Sequence, residues 1–324
     1  GGRSRFRRGA AYIVSLVRLL SRIRKARPDV VHWQFTELPV ADLLAMVAIR
    51  TLRIPQVYTA HELLPWTASR HHRRVFSWLY GLVDAVIVHS DDQKAEVIRR
   101  FGVDPSKVHV APLGGYSLFT SPSLPQSEAR ARLGVSKHVP VALFFGTIRP
   151  SKGLEVLIKA WALVAKTMPD ALLLVVGKPY KGLDTRTTTS LISELGVATS
   201  VATRFEHVDP VDANAYYRAA DVVVLPYHAI GTSGVLRYAY DSARAVIATS
   251  VGEHGAHVIE GTTGHLVPPG EPGVLAEALS ASLADRTTLA AMGMAARDYA
   301  AANMAWLEPA RTMLGVYSAV CRRY

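Results

Sequence analysis

The stretch FFGTIRPSKGLEVL, residues 144–157, places two cations, Arg149 and Lys152, in a Gly- and Pro-punctuated turn between an apolar run and an amphipathic helical pattern. A phosphate is the natural ligand for such a pair, because its oxygens accept charge-assisted hydrogen bonds. A second stretch of the same kind follows DVVVLPY. There His228 to Gly231 form a loop and TSGVLRYAY opens a helix. Thr232, Ser233 and Gly234 offer backbone N–H groups with small side chains, an arrangement that can receive a phosphate at a helix N-terminus. Alone, Ser-Gly before a helix is more often an ordinary N-cap; two such loops in one half of the chain argue more strongly for a phosphate-bearing ligand. Asp91–Asp92 is read as a helix start that it caps, no Asp-x-Asp pair stands on a strand-end loop, and metal-ligand spacing is absent.

These loops need a scaffold, and the sequence supplies one. Short β-rich runs at 29–34, 56–60, 85–89 and 108–112 alternate with helical patterns, and after 141–145 the alternation resumes through 171–176, 202–206, 221–225, 246–249 and 264–267. This is the pattern of parallel βαβ units. In an open α/β sheet ligands gather beyond the carboxyl ends of the strands, where loops lead into helix N-termini, and Arg149 and Lys152 follow such an end. The Ser- and Pro-rich TSPSLPQSEARARLGVSKHVP sets the expected division: a first domain over 1–122, a second over 123–305, and a closing helix over 306–324 that crosses back to the first. Four strands in the first half, against the roughly five or six of a doubly wound fold, suggest a domain that lacks its first strands.

A chain of 324 residues with 49% hydrophobic and 19% charged residues can bury two cores. Its single cysteine, Cys321, makes no internal disulfide, which suits a cytoplasmic protein. Net charge is +11, and Arg3, Arg5, Arg7, Arg8, Arg18, Arg22, Arg24, Lys25 and Arg27 all precede the first acid, Asp29. With Ile13, Leu16, Val17, Leu20 and Ile23 on one stripe of the same helix, this favours an anionic membrane surface or a packed core face over nucleic acid. The apolar stretch 10–20 is too short to span a bilayer and is interrupted by Arg18.

The GxxxxxKG spacing within 145–157, DVVVLPY with its helix start, AVIATSVG and EGTTGHLVPPGEPGVLAEAL resemble the motifs of glycosyltransferase family 4, and the likeness continues through PDVVH, VYTAHE, DAVIVHS and VHVAPLGG. The resemblance implies a GT-B fold, two Rossmann-like doubly wound domains facing a cleft. It also implies a retaining, hexosyltransferase-type enzyme of polysaccharide biosynthesis. Such an enzyme takes a sugar from a UDP- or GDP-linked donor without a metal and passes it to a lipid-linked or polysaccharide acceptor, peripherally at the inner face of the membrane. On this resemblance Lys152 holds the diphosphate, and His61 of VYTAHE faces the sugar's reacting centre with Glu62 orienting the turn. Gly146, Thr147, Val208, Thr232, Ser233, Gly234, Val235 and Tyr238 line the donor site. The chain departs from the family in four places. Thr147 stands where an Arg usually follows the strand-ending Gly, so Arg149 is expected to reach the phosphate from further along the loop. Ile230 and Tyr238 occupy the positions of two family glutamates, and Ala243-Arg244-Ala245 replace a Gly-x-Pro turn, which should relax it. These losses keep open an alternative, a catalytically degenerate GT-B subunit that binds or scaffolds a partner; an epimerase on the same fold lacks the acidic groups that chemistry needs.

Overall fold

The computed structural model describes residues 2–64, 68–116, 124–180 and 183–323. The chain forms two compact units, one of Gly1–Leu113 with Trp306–Tyr324 and one of Gly114–Ala305. The change of unit between Leu113 and Gly114 precedes the expected division at 122/123, which itself lies outside the described residues.

In the first unit the elements run α1 (Gly2–Ala26), β1 (Val31–Trp33), α2 (Pro39–Thr51), β2 (Gln56–Thr59), α3 (Arg70–Leu82), β3 (Ala85–Val88), α4 (Asp91–Phe101) and β4 (Val108–Val110). Among the described residues these strands make a four-stranded sheet, β1-β2-β3-β4, parallel throughout. Alternation along β2 and β3 divides the core. Tyr58, Val86 and Val88 face a cluster with Met46, Ile49, Phe76 and Leu79 of α2 and α3. Val57, Ala85 and Ile87 face the opposite way, onto Val316 and Val320. Those two valines belong to the last helix, Leu307–Cys321, so the C-terminal segment covers the sheet face that the first unit's own helices leave bare. Helix α4 is capped by Ser90, whose Oγ accepts from Gln93 N, rather than by the Asp91–Asp92 pair in its first turn.

The expected apolar stripe of α1 divides. Leu16 and Ile23 are buried, while Ile13 and Val17 remain about half exposed or more, at 50% and 61%. The side chains of Arg3, Arg5 and Arg8 lie outside the described ones. No described helix is long and apolar enough to cross a membrane.

The second unit continues with α5 (Gln126–Arg132), β5 (Val141–Phe145), α6 (Leu154–Thr167), β6 (Leu172–Val176), α7 (Arg186–Glu194), β7 (Val201–Arg204), α8 (Pro210–Ala219), β8 (Val222–Leu225), α9 (Gly234–Asp241), β9 (Ala245–Thr249), α10 (His254–His257), β10 (Gly264–Val267), α11 (Pro272–Ala284) and α12 (Arg286–Asn303); α13 (Leu307–Cys321) closes the chain. The strands lie in the order β10-β9-β8-β5-β6-β7, again parallel. In the four central strands, β5, β6, β8 and β9, nearly every residue is apolar and buried, as a parallel sheet covered on both faces requires. Ala142, Phe144, Leu173, Val175, Val222 and Val224 pack on α6 and α11 through Leu157, Trp161 and Leu279. Val141, Leu143, Leu174, Val223 and Leu225 pack on the other face with Tyr217, Leu236 and Ala296 of α8, α9 and α12. The strand order reverses between β5 and β8. That switch point opens a crevice beyond the carboxyl ends of two adjacent strands, and both candidate phosphate loops leave from it.

Candidate active site

The chain turns sharply where β5 ends. Gly146 adopts φ +102°, and a Cβ there would lie 2.9 Å from Lys152 Nζ and 3.2 Å from Val235. Glycine is therefore what lets the ammonium lie against the strand end. Residues Pro150–Lys152 form one 3-10 turn, which stops at Gly153, φ +61°. A Cβ on Gly153 would fall 1.9 Å from the Pro226 carbonyl oxygen, so the loops after β5 and β8 touch backbone to backbone, an approach closed to any other residue. The N–H of His228 donates to Ser151 O at 2.9 Å and ties them further.

Between these loops Lys152 is only 6% exposed, with Nζ 4.9 Å from the centre of the Tyr227 ring. Burial pushes its ammonium down to about 7 from 10.5, and the charge of Arg149 adds to the effect. Among the described residues no carboxylate pairs with Lys152. A buried cation without a counter-charge is costly, and here a second cation lies beside it. The half-buried Arg149 and the buried Lys152 together make a concentrated positive site that an anion would relieve.

The other wall differs from expectation. Ser233 caps α9 with Oγ accepting from Leu236 N at 3.2 Å, but its own N–H donates to the carboxylate of Glu253. Both oxygens of Glu253 also accept from Arg237 Nη1, at 2.7 and 2.8 Å, and the two side chains are buried. The amide at Ser233 is thus already engaged by an internal acid, and the N–H groups of Gly234 and Val235 are the ones left for a phosphate in the first turn of α9. Sequence reasoning missed Glu253; a carboxylate in the loop after β9 was its only signal.

Tyr238 is 8% exposed and stacks on Tyr217, ring centres 4.4 Å apart. Tyr217 packs in turn on Phe145 at 4.9 Å. An aromatic ladder therefore fills the position of the second family glutamate, and Tyr238 belongs as much to the core as to a donor site. Val208 is likewise in the core, with Val176 and Tyr216; Thr147 is exposed, and Ile230 and Thr232 are half-buried. The turn before β9 is not relaxed: Ala243 holds φ +54°, the left-handed conformation that a glycine would adopt at less cost.

In the first unit three histidines stand at the carboxyl ends of adjacent strands: His32 in β1, His61 after β2 and His89 after β3. His61 Nδ1 lies 2.9 Å from His89 Nε2, and His61 Nε2 lies 3.0 Å from the side-chain oxygen Oε1 of Gln34. Phe35 stacks on the His61 ring at 4.6 Å and 16°. Burial, followed by the proximity of His89 and His32, lowers His61 to about 4 from 6.5, so the imidazole is neutral at physiological pH. His32 is fixed separately, by Tyr317 Oη at 2.5 Å and Thr59 Oγ1 at 2.7 Å. Glu62 is exposed beside this group.

Two family descriptions match the chain, Glycosyltransferase Family 4 over residues 2–114 and Glycosyl transferases group 1 over residues 139–285. The D-inositol 3-phosphate glycosyltransferase of Corynebacterium glutamicum is 30% identical over 282 residues, which cover 82% of this chain and 67% of that protein. The chain belongs to glycosyltransferase family 4. The enzyme of the same name from Corynebacterium efficiens is 31% identical over 282 residues, and the chain spans 66% of its length. Solved structures place the fold in the GT-B class: sucrose-phosphate synthase from Thermosynechococcus elongatus has a TM-score of 0.78 at 23% identity, covering 96% of this chain and 79% of that one. Anabaena HepE in complex with UDP-glucose has a TM-score of 0.79 at 22% identity, covering 94% and 82%.

Proposed function

We propose that this family 4 chain transfers a sugar from a nucleoside diphosphate donor to a hydroxyl acceptor with retention of anomeric configuration. The observation that carries the reading is Lys152, a buried ammonium with no carboxylate partner among the described residues, at the switch point of a doubly wound sheet. Departure of the nucleoside diphosphate develops negative charge on the β-phosphate. Lys152, Arg149 and the N–H groups of Gly234 and Val235 are fixed in advance of that charge, so stabilising it needs no reorganisation. Two fixed cations perform the neutralisation that other transferases assign to a divalent metal, and turnover is expected to persist in EDTA. His61, neutral and held at a strand end, is the imidazole proposed to serve the sugar. UDP is the preferred base for a first test, because HepE was solved with UDP-glucose.

The acceptor is a lipid-linked saccharide or a polysaccharide reached at the inner face of the membrane. Helix α1 supports this: Arg18, Arg22 and Arg24 are exposed on the same helix as the exposed Ile13, Val14 and Val17, a combination suited to an anionic interface. A soluble inositol phosphate is the second reading, favoured by the names of the 30–31% identical relatives. The engaged amide of Ser233 and the absent glutamates favour a third outcome, a subunit that binds nucleotide without turnover. Incubating the protein with UDP- and GDP-hexoses, alone, with lipid-linked saccharide and with inositol 3-phosphate, separates them. Transfer to one acceptor class decides between the first two, and nucleotide binding with neither transfer nor donor hydrolysis would leave the third.

A further inference from the structure

The pair His61–His89 carries an inference about how the proposed transferase prepares its sugar-facing imidazole, and it rests on that reading of His61. His89, the residue after β3, is 5% exposed. Its Nδ1 lies 2.9 Å from the carbonyl oxygen of Ala111, and its own N–H donates to Gln93 Oε1 at 2.8 Å. A carbonyl oxygen can only accept, so Nδ1 of His89 carries the proton, and in the neutral ring Nε2 is an acceptor. That Nε2 is 2.9 Å from Nδ1 of His61. The hydrogen bond exists only if His61 holds its proton on Nδ1. The lone pair of His61 is then on Nε2, 3.0 Å from Gln34 Oε1; for Gln34 to donate to it, the side-chain amide must make the half-turn that exchanges its oxygen and nitrogen. The two rings thus form a hydrogen-bonded chain, Ala111 C=O to His89 to His61.

The geometry points to His89 as a positioning residue that holds His61 as its Nδ1–H tautomer, so that Nε2 accepts a hydrogen bond from a substrate hydroxyl. Which imidazole nitrogen carries the proton is set by the bond the other nitrogen makes, and Phe35 stacked on the ring restricts its rotation. Glutamine at position 89 can reproduce both bonds, its NH2 donating to Ala111 O and its oxygen accepting from His61 Nδ1–H; leucine reproduces neither.

The test uses the full chain labelled with 15N-histidine at pH ~8, with His61→Ala to assign the ring. Long-range 1H–15N correlation is expected to show His61 protonated on Nδ1 in wild type and in His89→Gln, and to show loss of that tautomer in His89→Leu. Groups that orient a functional imidazole are worth about 10–100-fold, so kcat should fall by that factor in His89→Leu with donor KM unchanged, and His89→Gln should restore it. Thermal unfolding of both variants controls for folding. A wild-type His61 protonated on Nε2, or a tautomer unchanged in His89→Leu, overturns the proposal. The spectra need no turnover, so the predicted tautomers with no transfer by any variant would uphold the His89 assignment and refute the enzymatic reading alone.

Discussion

Replacing Lys152 by methionine should make the empty protein more stable and the nucleotide-bound protein less so. The residue is 6% exposed, pairs with no described carboxylate and lies 4.9 Å from the Tyr227 ring, so methionine fills nearly the same volume and keeps a favourable sulfur–aromatic contact. The lysine's proton affinity falls from 10.5 to about 7 on folding. At about 1.4 kcal/mol for each tenfold in proton affinity, the empty protein at neutral pH gives up on the order of 4 kcal/mol to hold this group. Recovering even a quarter of that would raise Tm by roughly 2–4 °C for a unit of this size. The sign also fixes the pH dependence. Because the folded-state value is depressed, the unfolded chain binds the extra proton, and wild-type stability rises between pH 7 and 10.5 in a way the variant's does not. A bound diphosphate reverses the depression, so UDP binding at pH 8 should take up a proton in wild type only, read by calorimetry in buffers of different ionisation enthalpy. Charge-assisted hydrogen bonds to phosphate contribute about 1.5–3 kcal/mol, so the variant should bind UDP about tenfold to a hundredfold more weakly and uridine equally well. A lower Tm for the empty Lys152→Met protein, or UDP affinity equal to wild type, would refute the reasoning.

His61→Ala should leave UDP affinity within about twofold of wild type while lowering transfer about a hundredfold or more; a loss of binding in proportion to turnover would show a purely structural histidine. Because His61 is held near 4 and acts as the neutral ring, the acidic limb of kcat/KM should fall near pH 4 and not at the 6.5 of an ordinary imidazole, which a pH–rate profile reads directly. Reversing Arg18 and Arg22 to Glu should abolish sedimentation with anionic vesicles at low salt, since each cation near such a surface contributes about 1 kcal/mol, whereas wild type that binds neutral vesicles equally would exclude the electrostatic reading. Val316→Asp, which puts a charge against Val57 and Ile87, should destabilise the first unit by about 3 kcal/mol or more; an unchanged unfolding transition would mean that α13 contributes nothing to that sheet.

The strands were legible because parallel sheets covered on both faces are written as continuous apolar runs: β5 and β10 fall at the expected residues, and the others differ by one or two positions at their ends, where pairing and not composition sets the limit. The Lys152 turn was legible for a local reason, since Gly146 and Gly153 bracket it and each answers a steric demand visible as punctuation. The contents of the helix start at Ser233 were not. Whether an amide is free depends on what folds over it, and Glu253 arrives from a different strand, some twenty residues later. Similarly, VYTAHE and DAVIVHS each display a histidine after a strand, but nothing in either segment says that β2 and β3 are neighbours in register, Thr59 opposite Ile87, which is what brings His61 and His89 within a hydrogen bond. The turn at Ala243 shows the opposite error. Loss of glycine was read as loss of the conformation, yet the surrounding strand and helix hold an alanine at φ +54°, so tertiary context overrode a local preference.

Glu253 changes how the donor site must work. In a site where the first turn of a helix receives the diphosphate, the helix and the lysine share the anion. Here Ser233 N–H and Arg237 have their carboxylate already, and inserting a phosphate at that point would set two anions against each other with Glu253 buried between α9 and the loop after β9. On the proposed reading the diphosphate is therefore expected toward the β5 side of the switch point, against Lys152 and Arg149, with Gly234 and Val235 lending amides. That displacement agrees with the changes around it. Tyr238, stacked on Tyr217, puts aromatic carbon where the family resemblance expects an acidic side chain. On that reading the departures from the family pattern act together, moving the anion's anchor from the helix terminus toward the cationic turn, and Lys152 is the residue on which donor binding is expected to depend most.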